Sequence, residues 1–201
     1  MAKARSIKGL TTDVSYREAA TRIVAVRAQE LVDHAEGVLD LGDIERLHDM
    51  RVATRRLRAS LEVFEACFPA KAFGPALEEV EELADALGER RDRDVALEAM
   101  DGFAAELPAA DRPGVESLVA TLREEQAEAN EALVPHVAEE RVAALQERLR
   151  ELIGRLEPDD DAPAVAEGDG EPAASAGGAV DAALAADSQS NGAGATSDEA
   201  A

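Results

Sequence analysis

Aromatic side chains are scarce in this chain: tryptophan is absent, and phenylalanine and tyrosine together make up 2% of the residues. Strands draw on aromatic and β-branched residues, whereas alanine and leucine supply most of the apolar side chains here, so helix is favoured over sheet. The same scarcity removes the stacking platforms that single-strand nucleic-acid binders use. One cysteine, Cys67, excludes an intramolecular disulfide framework and a cysteine-only metal site. On an apolar helix face it reads as a small buried hydrophobe. The three histidines, His34, His48 and His136, are too scattered to propose as a metal centre. There is no HExxH, no Walker loop and no nucleophile with an evident base, so catalysis is not expected. No metal ligand set or cofactor is expected either. The chain also lacks the roughly 18 uninterrupted apolar residues of a membrane span. Its basic N-terminus, MAKARSIKGLTTD, lacks the apolar run of a signal peptide. A soluble cytoplasmic protein is the expectation.

Lysine is scarce too, and here the charge balance is informative. Lys3, Lys8 and Lys71 are the only lysines among 21 basic residues, set against 43 acidic ones, for a formal net charge of -22. A surface rich in carboxylates and nearly free of lysine suits a high-salt, halophilic cytoplasm, where self-repulsion is screened. Ten of the acids lie between Pro158 and Ala201, a stretch with no basic residue and no periodicity. Such a segment cannot bury enough apolar surface to offset the entropy of ordering it, so residues 158–201 read as a disordered acidic tail. Residues 1–157 read as one folded domain whose net charge is still -12.

Against that acidity, one stretch is anomalous. In Asp43 to Phe68, DIERLHDMRVATRRLRASLEVFEACF, His48, Arg51, Arg55 and Arg58 recur at helical spacing and fall within a sector of about 80° on one side of a helix. Leu47, Met50, Leu57, Leu61, Phe64 and Phe68 occupy the adjoining sector and should face a core. Arg56 points elsewhere. No carboxylate interrupts the run from Arg51 to Arg58. Arginine suits an oxyanion target, since each guanidinium is always charged and offers a planar fork to two oxygens at once. The strip therefore looks like a polyanion receptor. The competing explanation is a surface lattice of ion pairs to glutamates of neighbouring helices.

The phrase LHDMRVATRRLRASLEVF, Leu47 to Phe64, resembles the first signature of the CHAD domain family, an α-helical domain named for its histidines. LGERRDRDV, Leu87 to Val95, resembles the second. The resemblance implies an all-helical domain of two related bundles whose basic surface binds inorganic polyphosphate. By match to the motifs, His48, Arg51, Arg55, Arg56 and Arg58 would be anion-binding positions, joined by Arg90 and Arg91 of the second cluster. Divalent cations could bridge to the polymer, and association with polyphosphate granules would follow. No second LHDMR-like phrase occurs after Arg91, so the chain resembles a single first-half repeat. A half-domain offers half of the basic surface unless two chains pair, so a homodimer is expected. A helical partner scaffold that keeps the motif for packing is the alternative function, and a metal-dependent phosphate-processing enzyme a weaker one.

The punctuation predicts four to five helices in an antiparallel bundle, with no strand signals. Ser15 with Glu18 forms a capping box that opens a helix through Ile23, Val24, Leu31, Ala35 and Val38, ended by Gly37 and Gly42. Asp43 caps the organising helix and Pro69 stops it. A third helix starts at Pro75, kinks or unwinds at Gly88 just before Arg90 and Arg91, and ends at Pro108. Asp92 and Asp94 offer Arg91 a structural partner that rivals the anion. A fourth helix follows ADRPG and is kinked or broken at Pro135. The last carries Val142, Leu145, Leu149, Leu152 and Leu156 in a narrow stripe, read as the closing helix of a bundle in preference to a dimer seam. The acidic tail could fold back over the arginines as a competitor, with a solubility element as the default.

Overall fold

A computed structural model describes residues 3–156, and everything from residue 157 onward, including the expected acidic tail and its regulatory role, lies outside the described residues. Among the described residues there are five α-helices and no strand: α1 Tyr16–Asp33, α2 Ile44–Val63, α3 Ala70–Glu106, α4 Arg112–Val137 and α5 Glu139–Gly154. The fold is the expected all-α bundle. None of these helices is long and apolar enough to cross a membrane.

Each helix begins and ends for a local reason. Ser15 caps α1, its hydroxyl accepting from the Glu18 backbone N–H at 3.2 Å. The helix stops at Asp33, earlier than its apolar pattern suggests. Val38 is buried from the loop instead, where Gly37 turns the chain at φ +74°. A side chain at Gly37 would meet that strained backbone region and bring its Cβ within 2.8 Å of Arg46 Nη1. Asp43 stands at the N-cap of α2 but makes no capping bond; its carboxylate takes Arg46 Nε at 2.9 Å. A short 3-10 turn, Glu65–Cys67, then leads to Pro69.

The third helix departs from expectation at both marked points. It starts at Ala70 instead of Pro75, because Phe73 and Ala76 already face the core and reward the earlier turn. It also runs unbroken through Gly88, where a glycine's deficit of about 1 kcal/mol is small beside the burial of Leu83, Leu87 and Leu97 around it. At 1.5 Å per residue, α3 is roughly 55 Å long. Pro135 does not break α4, which ends two residues later at Val137.

α3 is the shared element, packing against α2, α4 and α5, while α1 packs on α2 and α5. Leu31, Leu47, Met50, Leu57, Leu61, Leu87 and Leu133 form the centre of one continuous core. Val142, Leu145, Leu149, Leu152 and Leu156 are all buried in the same bundle. The leucine stripe is thus spent within the chain, as the closing-helix reading requires, and offers no free seam. Asn130 of α4 ties down the first loop by donating to the Leu39 carbonyl at 3.1 Å.

Candidate functional site

The α2 sequence sorts its faces cleanly. Leu47, Met50, Val52, Ala53, Thr54, Leu57 and Leu61 are buried, and Thr54 returns its hydroxyl to the Met50 carbonyl at 2.9 Å. His48, Arg51, Arg55 and Arg58 are all half-buried at one edge of that face, and Arg56, also half-buried, points to a different side of α2. The antiparallel α3 brings Arg91, also half-buried, beside His48. His48, Arg51, Arg55 and Arg58 of α2 and Arg91 of α3 therefore line one seam.

Their electrical states differ. Burial, and next the Arg91 charge, hold the His48 imidazole below its ordinary value of 6.5, so it is neutral when the site is empty at neutral pH. Its Nδ1 is buried and has no hydrogen-bond partner among the described residues. Arg91 Nη1 is in the same condition. No hydrogen bond or ion pair within the described residues engages the Arg51 or Arg91 side chain. Arg55 and Arg56 each take part in a polar or ionic interaction.

Arg58 is held from two sides. Its Nε meets Glu62 Oε1 at 2.8 Å and its Nη2 meets Glu81 Oε1 of α3 at 2.9 Å. The Glu62 hydrogen bond leads the causes that raise its already high pKa.

Arg90 is where the sequence expectation needs correction. It is 0% exposed, inside the α3 and α4 packing, and out of reach of a ligand on the seam. Its Nη1 pairs with Asp94 Oδ2 at 2.8 Å, and Gln126 of α4 donates to Asp94 Oδ1 at 2.6 Å. Burial pushes Asp94 up and Arg90 down, each against the attraction of the other. Asp94 thus pairs directly with Arg90, while Arg91 acts on it only through its charge. Arg90 continues the stripe Leu83, Leu87, Asp94 and Leu97, a spacing legible in the sequence that identifies an interior position. Arg93 turns outward, donating to the Glu89 carbonyl at 3.2 Å with Glu125 at 3.8 Å.

Among the described residues no group of three or more His, Cys, Asp or Glu side chains converges as a metal site would require. What the seam presents, among the described residues, is the Arg51 and Arg91 guanidinium groups without a hydrogen bond or ion pair, the His48 imidazole, Arg55 with a partner of its own, and Arg58 under carboxylate control. This is an all-helical protein with a cationic seam on an acidic body. The CHAD domain family profile matches residues 22–197, most of the chain, and the protein belongs to that family. The matched stretch begins within α1 and runs on past the last described residue. No curated protein matches the chain.

Proposed function

We propose that this chain binds inorganic polyphosphate along the α2 and α3 seam, through His48, Arg51, Arg55, Arg56 and Arg58 with Arg91, and performs no chemistry on it. The observation that carries the reading is the state of Arg51 and Arg91. Both are half-buried, and among the described residues neither makes a hydrogen bond or ion pair to a carboxylate, in a protein with 43 acidic residues and a net charge of -22. Partly desolvated cations left without partners are costly unless a ligand supplies the anion. Family membership supports the same class of ligand. A polymer of phosphates would release counterions on binding, so affinity should fall with added salt.

Substituting Arg51 and Arg91 by alanine tests this without breaking a hydrogen bond in the free protein. Titration with long-chain polyphosphate at two salt concentrations should show salt-sensitive binding that the double variant loses by tenfold or more, since charged hydrogen bonds contribute about 1.5–3 kcal/mol each. Equal binding by the native and variant chains overturns the proposal. Excess polyphosphate should displace any bound DNA, while DNA fails to displace polyphosphate, because the acidic body repels a duplex.

A second reading has its own observation. Arg58 is clasped by Glu62 and Glu81, the arrangement expected if the arginines serve packing in a helical partner scaffold. The expected homodimer rests on the absence of a second LHDMR-like phrase, and the leucine stripe, buried within the chain, lends it no support. Sedimentation at high salt giving a monomer at micromolar concentration would remove it. A cytoplasmic location, with association with phosphate-polymer granules, belongs to the same proposal.

A further inference from the structure

The two carboxylates on Arg58 occupy a particular edge of its guanidinium. Nε and Nη2 together form the side-on fork, the pair of parallel donors that would meet two oxygens of one phosphate group. Glu62 holds the first from one turn further along α2, and Glu81 holds the second from across the seam. Asp85, a further turn along α3, adds to the negative potential at the same guanidinium. Arg51, on the same face of α2, has no such partner. The Arg58 end of the seam is therefore closed by ion pairs to the protein's own anions, whereas at the other end Glu45 and Asp49 lend negative potential to His48 and Arg51 has no ion pair among the described residues.

From this we infer that Glu62 and Glu81 are affinity-setting residues that compete with a phosphate group for Arg58, so that Arg58 joins the receptor only when the bound chain extends far enough to displace them. The inference rests on the polyphosphate reading given above. Arg51 to Arg58 spans about 10 Å of helix rise, so a single pyrophosphate held by Arg51 and Arg91 does not reach the closed end. A long chain does, and delivers a high local concentration of phosphate there. Each displaced pair is a half-exposed surface ion pair, with Arg58, Glu62 and Glu81 side chains at 40%, 49% and 37% exposure, so displacement is inexpensive and reversible. The clamp thereby discriminates by polymer length without any change of fold.

The test is a cycle of four full-length proteins: the native chain, Glu62→Gln with Glu81→Gln, Arg58→Ala, and all three substitutions together. Each is titrated with long-chain polyphosphate and with pyrophosphate at constant salt, with circular dichroism confirming equal helix content. Arg58→Ala alone should weaken long-chain binding and leave pyrophosphate binding much less changed, because only the long chain reaches the guanidinium. The glutamine pair should tighten long-chain binding by roughly two- to tenfold. Adding Arg58→Ala should abolish that gain, and pyrophosphate binding should move much less. A gain that is equal or larger in the Arg58→Ala background would mean that the glutamates merely repel the polymer, and would overturn the inference while leaving the receptor in place. Absence of polyphosphate binding by all four proteins would overturn the proposed function and this inference with it.

Discussion

Removing Asp94 should be among the most damaging single changes in the protein. Asp94→Ala leaves Arg90 fully buried with its one ionic partner gone, and Gln126 without its acceptor. Arg90 Nε and Nη2 have no partner even in the native chain, so nothing nearby compensates. Breaking a buried pair from one side typically costs about 3–5 kcal/mol, against a total stability of roughly 5–15 kcal/mol for a domain. For a chain of this size that corresponds to a fall in Tm of roughly 10 °C. Denaturant unfolding followed by far-ultraviolet circular dichroism measures it directly. The companion variant Arg90→Leu, Asp94→Leu, Gln126→Leu removes every member at once and should stay within about 1–2 kcal/mol of the native chain or exceed it, because desolvating the ions offsets most of their attraction. An Asp94→Ala protein within about 1 kcal/mol of native stability would refute the argument and mean that Arg90 reaches solvent.

Three further outcomes follow from the same geometry. His48 is held below 6.5, so the unfolded chain binds its proton more readily. The His48 contribution to stability is full above about pH 6.5 and is lost as pH falls through the lowered folded-state value. His48→Asn should flatten that slope, and in the native chain polyphosphate binding should tighten as pH falls through the bound-state pKa, with proton uptake visible by calorimetry in buffers of different ionisation enthalpy; a flat profile between about pH 5 and 8 removes His48 from the mechanism. Leu149→Ala, at a position 1% exposed, should cost about 2–5 kcal/mol with a Tm independent of protein concentration, whereas a concentration-dependent Tm would reveal a subunit seam. With a net charge of -22, the native chain should melt higher as KCl is added, and a falling Tm would rule out the high-salt adaptation.

Much of this architecture is written locally. Ser15 and Glu18 announce α1, the spacing of His48, Arg51, Arg55 and Arg58 places them along one edge of α2, and the alternating leucines of α5 state their own burial. The start of α3 was ambiguous because Pro69 and Pro75 both suit a helix beginning, and Phe73 decides between them only once there is a core for it to enter. Gly88 misleads for a similar reason: its propensity is a local quantity, and the packing of α2 and α4 on either side is not. Arg90 looked like part of a basic cluster because its charge drew more notice than its place in the Leu83, Leu87, Asp94, Leu97 stripe. Its partner's second hydrogen bond comes from Gln126, 32 residues away, and no spacing rule reaches that far.

The unbroken passage of α3 through Gly88 has a mechanical consequence. Arg58 faces Glu81 and His48 faces Arg91 across the seam, so the eleven residues from His48 to Arg58 run opposite the eleven from Glu81 to Arg91 in reverse. Two uninterrupted rods in that alignment act as the jaws of a gauge. A break at Gly88 would let the jaw ends move separately, whereas a continuous helix fixes the gap at one end by the contact made at the other.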